Sequence, residues 1–392
     1  MTGRWSTIFL LWLAGVLAAA QLGKMAALLP AIRGDLDLTL AGAGLMVSLI
    51  EAGGASLGSI AGVLAARFSG RSVLAAGSLL IAVAGIAAAA APDATLLYAA
   101  RLVESIGYLM VVIAAPSLIA MAAGRDSAAA LALWSTFVPV GVAAGTMLSG
   151  LAASWIDWRL ILTFWALAVL VTLPRTFRLP AMAEHRQSGF AMPPRAVWAL
   201  ALGFGCYTTL EVGVLGMLPA YLSEVWGLSI AAAGTVTGLT SAATIAGSFA
   251  AARLVGNGDG ARRPLMLVAI GLALPAALFV PAFPSQDLAV YLSGTGVALA
   301  VILANAISGL VAAVAFTRLP VLLRRGGAPL SLVTASNGVF AQFGAAGSLI
   351  GPPLVGYAAT HWGWPVVAPM VAGLSLLSFA GFALSERLAG TA

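Results

Sequence analysis

Twelve runs of about 20 apolar residues, parted by short polar breaks, follow one another along the chain and dictate what it can fold into. They fall at 6–30, 41–65, 72–91, 95–121, 128–153 and 159–174. After a Pro- and Arg-containing stretch at 175–194, six more lie at 196–222, 230–253, 264–283, 287–316, 329–354 and 363–385. As a helix, each run matches the hydrocarbon thickness of a bilayer. A helix also satisfies its own backbone hydrogen bonds in lipid, and the strict alternation of a membrane β-strand is missing from these runs. The expected fold class is an all-α integral membrane protein with twelve transmembrane helices.

Composition agrees. Charged residues are 8% and hydrophobic residues 61% of the 392 positions, whereas a soluble domain carries roughly 25% charged residues. Such a chain cannot cover a water-facing surface, which excludes a cytosolic enzyme, a nucleic-acid binder and a disordered scaffold. Arg4, the apolar run behind it and Ala18 to Ala20 have the pattern of a secretory signal. The further apolar runs favour a retained first span instead. A single cysteine, Cys206, excludes an internal disulfide.

The loop charges orient the helices. Of the 19 Lys and Arg, Arg33 and Arg159 fall on one side of the twelve-span alternation, Lys24 and Arg101 fall inside runs, and all the others share the side of the N-terminus. Asp35, Asp37, Asp93, Asp157, Glu224 and Asp287 populate the opposite side. Positive loop residues stay in the cytoplasm. Both termini are therefore expected there, with the chain in a bacterial inner membrane, and the formal charge of +6 reflects topology.

The chain repeats itself. LPAIRGDLDLTLAGAG from Leu29 aligns with LPAYLSEVWGLSIAAAG from Leu218, allowing one inserted residue. Gly141, Gly145, Gly150 and Trp158 correspond at a constant offset to Gly347, Gly351, Gly356 and Trp364. These pairs set the first span against the seventh and the fifth against the eleventh, the mark of duplication. The implied division is 1–178, a cytoplasmic loop at 179–194, and 195–392. Parallel repeats of this kind hold their substrate between the halves near the midplane.

Two motifs point to a family. GVLAARFSGR, Gly62 to Arg71, sits in the turn between the second and third spans, and RLVESIG, Arg101 to Gly107, in the fourth. With them the chain resembles the major facilitator superfamily over essentially its full length. Gly62, Arg67 and Arg71 fit the family's G-x-x-x-D-R-x-G-R-R signature, with Ala66 in place of its Asp and Gly70 in place of an Arg. The fourth-span R-x-x-Q-G motif has Glu104 for Gln and Ser105 for Gly. The first two spans and Asp157 to Arg159 are reminiscent of the cyanate/nitroimidazole-type branch. The resemblance implies two pseudo-symmetric six-helix bundles that work by alternating access, with spans one and four lining the cavity.

Five charged residues lie inside the runs: Lys24, Glu51, Arg101, Glu104 and Glu211. Each opposes insertion by about 2.5–3.5 kcal/mol unless it pairs or meets water. Helical rise puts Lys24 and Glu51 at matching depth on adjacent spans, an expected ion pair. Arg101 and Glu104 share a face that Tyr108 continues. Either these are structural salt bridges, or Lys24 and Arg101 meet an anionic group of the substrate. On this span map no base lies within a span of the second half, and Glu211 is that half's one intramembrane ionisable group. An ionised carboxylate buried without a cation is costly, so Glu211 is a candidate proton carrier, with Glu51 and Glu104 as further coupling groups. Gln21, Tyr207, Asn305, Asn337 and Gln342 are candidates for an uncharged lining. Pro30, Pro139 and Pro219 are placed to bend spans.

No Walker loop, HExxH string or metal-ligand cluster occurs, so neither a cofactor nor an enzymatic reaction is expected. The reading is a secondary transporter, acting as a monomer, that moves a small organic anion or zwitterion with protons. The alternative is a proton-antiport efflux pump for amphipathic drugs or metabolites, in which the carboxylates receive cations.

Overall fold

The polar breaks become helix caps. The side chains of Thr39, Asp93, Asp157 and Ser229 accept hydrogen bonds from the backbone amides of Gly42, Leu96, Arg159 and Ala232. Each satisfies a donor that a helix start leaves open. The computed structural model describes residues 2–65, 68–179, 192–255, 260–285, 292–325 and 330–390. Among them, 12 helices are long and apolar enough to cross a bilayer.

Spans 1 to 6 are Arg4–Asp35, Leu40–Ala61, Gly70–Ala89, Ala94–Asp126, Ala129–Ala152 and Trp158–Thr176. Spans 7 to 12 are Arg195–Trp226, Ile230–Leu254, Arg262–Ala282, Gly294–Leu323, Ala335–Trp362 and Trp364–Gly390. They form two six-helix bundles, with both termini at one end, here called the terminus end. Most of the expected 179–194 loop, at 180–191, lies outside the described residues, as do Ala66 and Arg67 of the GVLAARFSGR turn. From that turn, Arg71 donates 2.9 Å to the Leu179 carbonyl and so ties span 3 to the chain after span 6.

Spans 2, 5 and 6 are interrupted, span 6 by a 3₁₀ turn at Val169–Thr172. Span 2 passes through a 3₁₀ turn at Leu49–Glu51, and span 5 breaks at Ser135 and Thr136, just before Phe137 and Pro139.

The duplication is visible in backbone contacts. Gly141 and Gly145 of span 5 press on the Val16 and Ala20 carbonyls of span 1, leaving no room for a Cβ. Their counterparts Gly347 and Gly351 of span 11 press in the same way on the Gly205 and Thr209 carbonyls of span 7. Small residues allow such close approach in membrane bundles, where packing rather than hydrophobicity drives association. The seam between the halves repeats the device. Gly44 of span 2 faces the Pro352 carbonyl of span 11, and Gly234 of span 8 faces the Thr146 carbonyl of span 5. Spans 2 and 11, 5 and 8, and 1 and 7 build the seam, whereas spans 4 and 10 find their main neighbours inside their own halves. At the end away from the termini, Arg33 donates to Glu224 across the seam, and Arg159 reaches Asp35 at 2.7 Å within the first half.

Candidate functional site

Arg101, Glu104 and Tyr108 follow one another along one face of span 4, and that face is aimed at spans 1 and 2. The Arg101 guanidinium donates to the Met46 carbonyl at 3.1 Å, the Val47 carbonyl at 3.0 Å, the Gln21 carbonyl at 3.3 Å and Glu104 Oε2 at 2.6 Å. Met46 and Val47 lead into the 3₁₀ turn of span 2, where the helical ladder tightens and carbonyls become open to outside donors. One arginine thus joins spans 1, 2 and 4.

Lys24 completes the group. Its ammonium donates to Glu104 Oε1 at 3.3 Å and to the Gln21 side chain, and lies against Gly85 of span 3. Gln21 in turn donates to the carbonyls of Leu17 and Trp165. The side chains of Lys24, Arg101 and Glu104 are 0% exposed. Fixed geometry and filled donors are what make such a buried group tolerable.

The expected Lys24–Glu51 pair does not form, because Lys24 pairs with Glu104. Helical rise fixes the height of a side chain and not its azimuth, and the 3₁₀ turn ending at Glu51 alters how that residue faces. Glu51 is partly exposed and makes no ion pair among the described residues. The Arg101 charge acts on it, and Glu51 acts in turn on buried Tyr108.

In the second half, Glu211 is also partly exposed and has no ion pair among the described residues. Tyr207, one turn along span 7, lies within hydrogen-bonding reach of it. The Tyr207 hydroxyl donates 3.1 Å to the Ser308 carbonyl of span 10, and the Ser308 hydroxyl donates 3.1 Å to the Asn305 carbonyl. Asn305 is buried and donates to Val301 of its own helix. Asn337 is exposed and donates to Val333. Gln342 bridges the halves: it donates 2.9 Å to the Ala55 carbonyl and accepts 3.2 Å from the Ser59 amide, both on span 2.

A second expectation fails outright. Arg318 lies inside span 10, 2% exposed, and meets Glu386 of span 12 through two hydrogen bonds of 2.6 and 2.7 Å. Glu211 is therefore not the one ionisable group in its half, nor is that half without a buried base. Arg318 looked like a loop residue because the hydropathy run stops at 316, whereas the helix continues through Leu323. The signal was present in LPVLL, Leu319 to Leu323, an apolar stretch on the far side of the arginine.

The Major Facilitator Superfamily profile matches residues 11–339. The methylenomycin A resistance protein of Streptomyces coelicolor is 28% identical over 181 residues, which cover 46% of this chain and 38% of that protein. The chain thus spans well under half the length of that curated relative. Two solved structures share the fold. A bacterial homolog of the human lysosomal transporter Spinster, inward-facing and occupied, superposes with a TM-score of 0.68 at 16% identity over 99% of this chain and 95% of its own. The nucleoside transporter NupG gives 0.75 at 15% identity over 97% and 99%. With twelve helices apolar enough to cross a bilayer among the described residues and a profile match over most of its length, the chain belongs to the major facilitator superfamily, a family of multi-pass membrane transporters.

Proposed function

We propose that the protein is a proton-coupled exporter of amphipathic organic compounds, cationic or neutral, in which Glu211 and Glu51 exchange proton for substrate. The observation that carries this reading is how the charges are sorted. Both bases suited to an anionic substrate are enclosed with their own partners, while the mid-depth charges left partly exposed are the carboxylates of Glu51 and Glu211. The Tyr207 hydrogen is engaged by Ser308, so its oxygen is free to accept from a protonated Glu211. Once ionised, Glu211 needs a cation or another donor, which an arriving substrate supplies. Lys24, Arg101 and Glu104 hold spans 1, 2 and 4 in register and position Glu51. The resistance protein of Streptomyces supports export as the direction. An organic anion or zwitterion, the other reading of the sequence, would require Lys24 or Arg101 to leave Glu104.

The halves 1–178 and 195–392 then rock as units about their glycine contacts, in a monomer. The arginine-rich loops support a plasma membrane with the terminus end in the cytoplasm. Reconstitution in liposomes with an imposed pH gradient tests the proposal. Lipophilic cations should drive counter-movement of protons in the native protein. Glu211→Gln should keep substrate exchange but lose accumulation driven by the gradient. Accumulation of organic anions, with cations inert, would overturn the reading.

A further inference from the structure

One turn from Tyr207 toward the terminus end, span 7 carries Phe204. Its ring stacks on Phe340 of span 11 at 4.4 Å between centroids and at an interplanar angle of 15°. It lies 6.0 Å from the Tyr207 ring and 5.6 Å from Phe316 of span 10. Phe316 also meets Phe340 edge-on at 5.2 Å. Phe204, Phe340 and Tyr207 are buried, but Phe316 is 59% exposed. Leu299 and Leu303 are the other exposed large apolar side chains of span 10. Phe316 stands roughly 100° around the helix from Leu299, turned toward its ring partners on spans 7 and 11. Phe316 is on the flank that meets spans 7 and 11, on a helix whose main neighbours all belong to its own half.

The structure assigns to Phe316, backed by Phe204, Phe340 and Tyr207, a binding wall for a flat aromatic ring. It lies about two turns from Glu211 toward the terminus end, on the side of span 10 that meets spans 7 and 11. Phe204, Tyr207 and Glu211 share one face of span 7, and the carboxylate stands about 10 Å along the helix from Phe204. A ring laid edge-on or offset against Phe316 finds the geometry that aromatic pairs favour. The positive charge of the same molecule is drawn toward Glu211. Resting on the carboxylate reading above, this narrows the transported class to organic cations that carry a flat aromatic ring.

Equilibrium binding to the purified full-length protein tests the wall. The probes are ethidium, read by fluorescence, and tetrapropylammonium, a cation without rings, read by competition. Phe316→Leu keeps an apolar side chain at an exposed position and removes the ring. It should weaken ethidium about three- to tenfold, change tetrapropylammonium less than about twofold on the same scale, and be rescued by Phe316→Tyr. Unchanged ethidium affinity overturns the wall, as does an equal loss for both probes, which would mean packing alone. Glu211→Gln separates the two levels of the argument. If it weakens both cations while Phe316→Leu weakens neither, only the wall fails. If it weakens neither, the carboxylate reading fails as well.

Discussion

The two halves share a scaffold and differ in what fills it. Gly145 meets the backbone of span 1 at Ala20 and Lys24, and its counterpart Gly351 meets span 7 at Thr209 and Gly213. Where the first half places a lysine, the second therefore has a glycine. The first half spends its charges at mid-depth, where Lys24, Glu104 and Arg101 weld three spans. The second keeps its buried pair, Arg318 and Glu386, near the terminus end. At the height of the triad it offers instead a neutral chain of Tyr207, Ser308 and Asn305 with one partly exposed carboxyl. Backbone packing follows from the duplication, whereas chemistry follows from the positions at which the copies have diverged. The divergence ties three spans together at the centre of one half and leaves a partly exposed carboxyl at the centre of the other.

The contrast can be broken at several points. Glu104→Gln strands two buried cations and should lower stability by about 3–5 kcal/mol, read as thermal unfolding of the purified protein. Arg318→Met removes the base paired with Glu386 and should also lower stability; no loss would mean that the second half does not depend on this ion pair. Gly44→Val and Gly234→Val, at equivalent places on the seam, should each cost the present packing about 1–3 kcal/mol. Both should separate the halves at the end away from the termini, measured by distances between spin labels there. Opposite responses of the two variants would refute the pseudo-symmetry of the seam. Glu51→Gln should leave stability within about 0.5 kcal/mol while reducing proton-driven transport in liposomes. At the small end, Arg33→Ala opens a half-exposed pair with Glu224 and should change stability by no more than about 1 kcal/mol, less still in high salt.

Much of this was legible in the sequence. The number of spans and the doubled glycine pattern follow from hydropathy and spacing, and the cost of a charge in lipid singles out Lys24, Glu51, Arg101, Glu104 and Glu211. Two things were hidden, for different reasons. The partner of Lys24 depends on rotation about a helix axis, and a 3₁₀ turn at Leu49–Glu51 leaves no mark in hydropathy. The Arg318–Glu386 pair was hidden by length. Spans 10 and 12 run to Leu323 and Gly390, beyond the stretch needed to cross a bilayer, so Arg318 reads as a loop residue and Glu386 falls just outside the run at 363–385. The lining was legible as a set of polar residues and not as a surface. Gln21 and Asn305 turn to nearby carbonyls, and Phe316 escaped a search for polar groups because its interest lies in its ring.

The Gln342 carboxamide deserves a mechanical reading. Its nitrogen and oxygen hold Ala55 and Ser59, two groups one turn apart on the neighbouring half. A tilt of one half against the other has to strip both bonds at the same moment, since one rigid amide makes them. It acts as a catch with two teeth: slow to slip by degrees, quick once released, and a reason for the protein to dwell in discrete states.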